Sequence, residues 1–257
     1  MIHSLKMIIP VLLCWLAPEL VYPQVNIEKV RATETETGFA TSLSLSLSAK
    51  TGNVELTTLS GEARIDYAWR LARSFLLARG DLGWKDDKRF SEEGLLHARY
   101  TRLFSGTLGF ELFSQFNYDK ARLLDARFLA GGGVRVRFVD KEHLSASLGS
   151  AAMVEYERYD LPAGARHARE ETVGRWSNYF NLKYELSETG SLVWIVYAQP
   201  RFDRFEDLRI LSEAALMARL HTALSLTLTA RVRYDHEPPD GIEELDTAVL
   251  SGVSVEF

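Results

Sequence analysis

The chain has 257 residues, a formal charge of −5 and 25% charged side chains. This composition excludes an intrinsically disordered chain and a strongly basic protein that binds nucleic acid. A single cysteine excludes an intramolecular disulfide framework and a cysteine-ligated zinc site.

The first 23 residues are predicted to be an export signal. Lys6 precedes an apolar core that runs from Met7 to Leu16. About ten apolar residues are too few to cross a bilayer as a helix, but they suit a secretory signal, and we place its cleavage near Gln24. The alternative is a buried N-terminal helix. If the signal is removed, Cys14 leaves with it, and the mature chain has no thiol, which suits an oxidising periplasm.

The rest of the sequence alternates with a period of two. From Leu224 to Tyr234 the even-numbered residues are apolar or aromatic, and the odd-numbered ones are Ser, Thr or Arg. Successive side chains of a strand point to opposite faces, so this period predicts strands with one apolar face and one polar face. The pattern recurs and predicts an all-β fold with about twelve strands, at residues 38–49, 54–70, 72–86, 89–104, 106–119, 122–138, 143–158, 171–186, 190–203, 206–220, 223–236 and 245–257.

Three features favour a membrane barrel over a soluble β-sandwich, which would also alternate. Many predicted strands exceed ten residues, whereas strands of soluble proteins usually have about 5–6, and about 9–11 residues cross a bilayer. Aromatic residues such as Trp69 and Tyr184 lie near strand ends on the apolar face, as in interfacial girdles. The polar face carries charges of both signs. We therefore predict that residues 24–257 form a closed antiparallel transmembrane β-barrel in the Gram-negative outer membrane, in contact with its lipid.

The connections between strands provide a further expectation. With an even number of strands, both ends of the chain lie on one side of the membrane. The connections after even-numbered strands should then be short turns, and those after the third, seventh and eleventh strands should be longer loops.

Charged residues on the polar face are expected to line the barrel interior. Arg127 should face Glu155, and Arg231 should face Glu213, in pairs that cross the interior and narrow it. Since an isolated buried charge is costly, these groups need partners or water. They could simply hold the barrel together, or they could form a selective passage or a small-ligand site. The expected lining residues are Arg64, Asp66, Arg79, Arg99, Glu111, Asp125, Arg127, Arg135, Arg137, Glu155, Glu213, Arg231 and Arg233.

No catalytic residue, metal site or cofactor is predicted, and the chain is not expected to be an enzyme. The histidines after the signal are scattered, and no pair has metal-ligand spacing on one element. They are His97, His143, His167, His221 and His236. The run Gly131-Gly132-Gly133 lies within a strand rather than before a helix, so it is predicted to allow sheet curvature or close approach of side chains rather than to bind phosphate.

Three local motifs carry a resemblance to a known family. They are Thr51-Gly52-Asn53, Gly131-Gly132-Gly133-Val134, and the run Tyr234-Asp235-His236-Glu237-Pro238-Pro239-Asp240-Gly241 with Asp246-Thr247 downstream. Together they resemble the bacterial domain-of-unknown-function family labelled as salt-induced outer membrane proteins. The resemblance covers essentially the whole mature chain. It implies an outer-membrane location and brings no established activity.

The C-terminus resembles the terminal-strand signal that the barrel-assembly machinery reads. It alternates through Gly252, Val253 and Val255 and ends in an aromatic residue, Phe257. An unpaired strand edge can pair with an edge of the machinery, so we expect this machinery to be a partner. The alternative is an ordinary final strand.

The predicted function is that of an outer-membrane barrel acting as a narrow channel or as an envelope protein used in salt stress. One alternative is an outer-membrane enzyme that acts on lipid, which would need a Ser or Asp beside a histidine at the outer rim, such as His167 or His236. A second is a soluble periplasmic β-barrel or sandwich that binds a small ligand.

Overall fold

The computed structural model describes residues 37–50, 56–86, 88–221 and 224–255. The predicted export signal lies outside these ranges, as does the Thr51-Gly52-Asn53 motif. Within the described ranges the chain is built from strands, with one short 3-10 turn at Lys120–Arg122. No helix in this part of the chain is long and apolar enough to cross a membrane.

Twelve strands form one antiparallel sheet in which each strand pairs with its neighbours in sequence, from β1 to β12. The prediction of an all-β chain with twelve antiparallel strands is confirmed. The strands are β1 Gly38–Lys50, β2 Leu56–Ala68, β3 Ala72–Lys85, β4 Lys88–Leu103, β5 Leu108–Asp119, β6 Leu124–Lys141, β7 Leu144–Tyr159, β8 Glu170–Glu185, β9 Gly190–Pro200, β10 Leu208–His221, β11 Leu224–Asp235 and β12 Leu245–Val255.

The two faces of the sheet have the polarity that the alternation predicts, and the apolar face lies outside, as expected for a membrane barrel. On β7, Met153, Glu155 and Glu157 are buried, whereas Val154 between them is 58% exposed. Among the described residues, 31 large hydrophobic side chains are exposed and 21 polar or charged side chains are buried. A soluble domain has the opposite arrangement.

The sheet curls around its polar face. Arg209 on β10 reaches Glu155 on β7, with 2.6 Å between Nη1 and Oε1. Tyr179 on β8 reaches Glu111 on β5, with 2.8 Å between the hydroxyl and Oε2. These contacts join strands that are not neighbours in the sheet. The space that they cross is called the interior below.

Two ends of the interior can be distinguished by their connections. At the turn end, even-numbered strands lead into short connections such as residues 69–71 and 142–143. At the loop end lie the three longest connections, residues 160–169, 201–207 and 236–244.

The expectation of a longer loop after the third strand was wrong. β3 ends at Lys85 and β4 begins at Lys88, so two residues connect them, and Asp86 takes a left-handed conformation with φ 48°. The longer loop that the sequence did not indicate follows β9, which ends at Pro200 rather than near residue 203. Proline has no N–H to donate to a sheet, so it is a natural strand end.

Candidate functional site

Most of the predicted lining residues lie on the inner face of the sheet. Arg64, Arg99, Glu111, Arg127, Glu155, Glu213 and Arg233 are buried. Asp66, Arg79, Arg135, Arg137 and Arg231 are half-buried. The interior is therefore lined by charges of both signs, and the contacts of each charge decide what the space can hold.

Asp125 does not lie on the inner face. The register between β6 and β7 shifts between Leu124 and Ala126, which is a β-bulge, and the extra residue turns the Asp125 side chain outward. Asp125 is exposed there and forms an ion pair with Arg158, with 2.7 Å between Oδ2 and the arginine Nε. The expectation that Asp125 lines the interior fails because a bulge breaks the period of two.

The two predicted pairs are in contact but do not cross the interior. Arg127 Nε lies 2.9 Å from Glu155 Oε2, and Arg231 Nε lies 2.8 Å from Glu213 Oε2. β6 and β7 are neighbours, as are β10 and β11, and Glu213 is directly opposite Arg231 in the register. Cross-strand neighbours of this kind lie side by side along one wall.

The contacts that do span the interior converge on Glu155, which is fully buried. Its carboxylate meets Arg127 of β6, Arg175 of β8 at 3.1 Å, and Arg209 of β10 at 2.6 Å. Three guanidinium groups around one carboxylate leave an excess of positive charge. Because a buried charge is costly unless it is paired, further acids are needed nearby.

Three more carboxylates supply that compensation. Arg209 holds Glu157 at 2.8 and 3.0 Å and Asp235 at 3.0 Å, and Arg175 holds Asp207 at 3.1 Å. We call the seven residues Arg127, Glu155, Glu157, Arg175, Asp207, Arg209 and Asp235 the Glu155 cluster. It joins β6, β7, β8, β10 and β11 near the loop end, so it narrows the interior there.

Sequence reasoning missed Arg175 and Arg209. Both are buried, at 2% and 5% exposure. The period of two does place Arg175 on the same face as Tyr179, but that face of β8 mixes apolar and polar residues and gave a weak signal. Which distant strand each arginine reaches depends on how the sheet curls, and no local pattern records that.

The connection at residues 236–244, which carries much of the third motif of the family resemblance, contacts its neighbours at the loop end. Asp240 Oδ2 accepts hydrogen bonds from the backbone N–H groups of Arg166 at 2.7 Å and His167 at 2.8 Å. Both bonds hold the pKa of the Asp240 carboxyl below its usual range, and the bond from His167 has the larger effect. Glu237 in the same loop forms an ion pair with Arg204. This loop is thus tied to both of the other long loops.

A further cavity lies at the opposite, turn end. It has a volume of about 340 Å³, and its walls include Arg64, Arg135, Arg137, Asn181 and Lys183. Two smaller cavities, of about 60 Å³ near Tyr179 and about 30 Å³ beside Arg209, lie further toward the loop end. We call the first of these three cavities the vestibule. Seven Lys and Arg residues and four Asp and Glu residues line it, so its walls carry an excess of three positive charges.

The glycine run of β6 lies where other groups approach closely. A Cβ atom at Gly133 would overlap the backbone of Ser150 and Ala151 on β7, and one at Gly131 would lie 2.6 Å from the Phe113 ring of β5. These glycines are therefore needed for close packing within the sheet, which is one of the two roles that the sequence predicts.

The histidines are dispersed in the structure as well. His97 is buried, lies 3.2 Å from Gln115 Oε1 and stacks on Phe75. His143 lies 3.6 Å from Glu185, and His221 ends β10.

The two histidines at the loop end contact groups that are close to them in the chain. His167 Nδ1 lies 2.8 Å from the carbonyl of Ala168, and His236 Nδ1 lies 3.0 Å from the hydroxyl of Tyr234. The described ranges contain no group of three His, Cys, Asp or Glu residues that could hold a metal ion.

The C-terminal signal is described only in part. Gly252, Val253 and Val255 lie on β12, which pairs with β11 in regular antiparallel register. Phe257 lies outside the described residues.

Comparison with known proteins gives one family match. The family model described as "Protein of unknown function, DUF481" matches residues 43–257. None of the curated proteins matches the chain.

Three solved structures illustrate the likenesses found. The NanC porin is 8% identical, with a TM-score of 0.49 over 85% of this chain and 99% of that one. The KdgM porin is 10% identical, with a TM-score of 0.45 over the same shares. The translocator domain of the autotransporter NalP from Neisseria meningitidis is 10% identical, with a TM-score of 0.45 over 89% of this chain and 92% of that one. Likenesses at this level say nothing about function.

Proposed function

The chain belongs to the DUF481 family, whose function is unknown, and we propose that it is a closed β-barrel of the Gram-negative outer membrane. We propose further that its interior is a narrow passage, constricted by the Glu155 cluster. An export signal at residues 1–23 and assembly through the C-terminal strand are parts of this proposal.

One observation carries the proposal, namely the inverted polarity of the sheet. Large apolar side chains such as Leu228 and Phe138 are about half exposed on the convex face. Water-soluble monomers rarely expose contiguous apolar patches of more than a few hundred Å². All the described strands belong to one sheet, so a second sheet that would cover this face as in a sandwich is not among them. Hydrocarbon tails are the solvent that such a face suits.

The aromatic residues on this face support the same assignment. Tyr67, Trp69 and Phe104 are exposed at the turn end, and Trp176 and Phe205 are exposed at the loop end. Tyrosine and tryptophan favour the two membrane–water interfaces. Aromatic residues toward both ends of the strands are the arrangement expected of a membrane barrel.

A sheet that lies in lipid is also expected to close into a barrel. In hydrocarbon, each unpaired backbone N–H or C=O costs several kcal/mol, so a sheet edge must be paired there. We propose that the outer edges of β1 and β12 pair with each other. The contacts that already bridge the interior, from β10 to β7 and from β8 to β5, support a curl tight enough for this.

The passage itself is argued from the cavities. The vestibule, the cavity near Tyr179 and the cavity beside Arg209 succeed one another from the turn end to the loop end, and the last two have volumes of only about 60 and 30 Å³. In this measure a cavity needs about 10–15 Å³ to hold one water molecule. Such a route would pass water and small ions, and larger solutes only if the Glu155 cluster moved.

A second candidate is an envelope protein that does not conduct, with the salt-stress role that the family label implies. The density of ion pairs in the Glu155 cluster favours it, because seven interlocked side chains can act as a permanent plug. Conductance separates the two candidates.

The test of the proposal has two stages. In the first, the membrane fraction is run on a gel with and without boiling, because a closed lipid barrel resists SDS until it is heated. The proposal requires a faster band before boiling. Recovery of the protein from a periplasmic extract without detergent would overturn it.

In the second stage the purified protein is added to planar bilayers in KCl. Small, discrete conductance steps support the passage. Silence at all voltages, with the heat-modifiable band retained, supports the non-conducting envelope protein instead.

A further inference from the structure

We propose that the vestibule binds the oxyanion group of a small solute, a carboxylate or a phosphate, and that Arg64 is the anchor of this site. The proposal deepens the passage proposed above and rests on it only for the solute's route to the site. It is carried by the geometry of Arg64, the charge of the cavity walls and the cavity volume.

Arg64 has a fixed position and a donor to spare. Its side chain on β2 is 6% exposed, its Nε and Nη2 both hold the Asp66 carboxylate, and its guanidinium carbon lies 4.2 Å from the centre of the Phe75 ring. The remaining nitrogen, Nη1, is buried without a hydrogen-bond partner among the described residues. Arg64 is part of the vestibule wall.

A buried guanidinium nitrogen without a partner is unusual, because each of its N–H groups has lost hydration without compensation. An oxyanion can supply the missing hydrogen bond, because charge-assisted N–H···O bonds to carboxylate or phosphate are stronger than bonds between neutral groups. The Asp66 carboxylate and the Phe75 ring hold the guanidinium plane, so little entropy would be lost when such a ligand binds.

The charge of the walls points to the same class of ligand. The acids that line the vestibule are largely engaged, with Asp140 held by Arg137 at 3.0 Å and Glu185 by Lys183 at 3.4 Å. Summed over all the residues that line the vestibule, the charge is still three units positive. A concave site with low-dielectric walls concentrates such a field and raises the local concentration of anions.

Neutral polar groups complete the site. Asn181 of β8 and Thr101 of β4 also line the vestibule. A volume of about 340 Å³ is at the lower end of small-molecule sites, which run from roughly 300 to 1,000 Å³. The ligand is therefore a small solute with one or two anionic groups rather than a polymer.

The experiment measures binding to the full mature protein in detergent by isothermal titration calorimetry, at constant chloride. The probes are inorganic phosphate and succinate, and the neutral control is glycerol. We expect saturable binding of at least one anion and none of glycerol. Phosphate alone would assign the site to phosphorylated solutes, and succinate alone to carboxylates.

Three variants locate the site. Arg64→Gln should weaken binding at least tenfold, and Arg73→Gln, at the exposed mouth of the vestibule, should weaken it severalfold with little effect on folding. Arg158→Gln, on the outer face with Asp125, should leave binding unchanged. If Arg64→Gln does not fold, Arg73→Gln still decides the matter.

The proposal is overturned if the wild type shows no saturable binding of either anion, or if Arg64→Gln and Arg73→Gln bind as the wild type does. Calorimetry does not require conduction. If the bilayers show no conductance but anions bind in a way that depends on Arg64, the proposed passage is overturned and the proposed anion site stands. If the bilayers conduct but no anion binds, the proposed site is overturned and the passage stands.

Discussion

The hydroxyl of Tyr179 on β8 donates a hydrogen bond to Glu111 on β5, three strands away, over 2.8 Å. The ring passes directly over Gly149 of β7, where a Cβ atom would overlap it. Glu111 also accepts hydrogen bonds from Arg99 and Thr101, each at 3.3 Å. A glycine on the inner face thus lets one aromatic side chain brace the interior.

This brace predicts that Gly149→Ala destabilises the protein. The added methyl group forces the Tyr179 ring away and breaks its bond to Glu111, at a cost of about 1–3 kcal/mol. The measurement is the urea midpoint of the detergent-solubilised protein. Gly106→Ala is the matched control, because a Cβ atom there has no neighbour within 4 Å. Equal midpoints for the two variants would rule out the brace.

Glu155→Gln should be the most damaging single change in the interior. It leaves the buried guanidiniums of Arg127, Arg175 and Arg209 with one carboxylate fewer, and breaking a buried ion pair costs about 3–5 kcal/mol. We expect a lower unfolding midpoint and, where the variant assembles, larger conductance steps, because the three arginines repel one another. Glu170→Gln, at the exposed start of β8, should change neither quantity.

A charge on the convex face tests whether that face lies in lipid. Leu228, near the middle of β11, is 50% exposed, so in a soluble protein its replacement by Arg would be nearly neutral. In a bilayer the same change costs about 2–4 kcal/mol near the midplane and far less at the interface. We therefore expect Leu228→Arg to reduce the heat-modifiable band and Phe104→Arg, at the turn end, to keep it. Similar yields for both would argue against burial of this face in hydrocarbon.

The bonds to Asp240 predict an acid-sensitive loop end. Because the folded pKa of Asp240 is lowered, its bonds to His167 and Arg166 stabilise the loops fully above the unfolded pKa of about 3.9 and lose that effect as the pH falls through the folded value. The protection of residues 160–169 against hydrogen exchange, measured relative to an unstructured peptide at the same pH, should fall over that acidic range. Asp240→Asn should remove this protection together with its pH dependence, whereas Glu243→Gln, exposed in the same loop, should follow the wild type. An unchanged profile in Asp240→Asn would contradict the assignment.

Much of the fold could be predicted from the sequence because a period of two reports directly on the two faces of a strand. The pattern from Leu224 to Tyr234 became β11 with Val232 outside and Arg233 inside. β9 was harder, since Leu192 to Val196 is apolar on both faces. Val193 and Ile195 prove to be buried, and Ile195 packs in a cluster with Tyr179 and Leu211 that fills part of the interior.

The site was less accessible to sequence reasoning. The wall pair of Arg231 and Glu213 follows from counting residues around one tight turn. The contact between Arg209 and Glu155 depends on how the whole sheet curls. The outward orientation of Asp125 depends on a β-bulge, and no residue type in the sequence indicates that bulge.

The strictly sequential order of β1 to β12 has a consequence for how this protein can change over time. Each β-hairpin pairs with the hairpins that precede and follow it in the sequence. Pairs of strands can therefore be gained, lost or duplicated in evolution without changing how the other strands are connected. The exception is the stretch from β5 to β11, where the hydrogen bond from Tyr179 to Glu111 and the shared arginine partners join strands that are not neighbours in the sheet. Strands in this stretch would have to be gained or lost together.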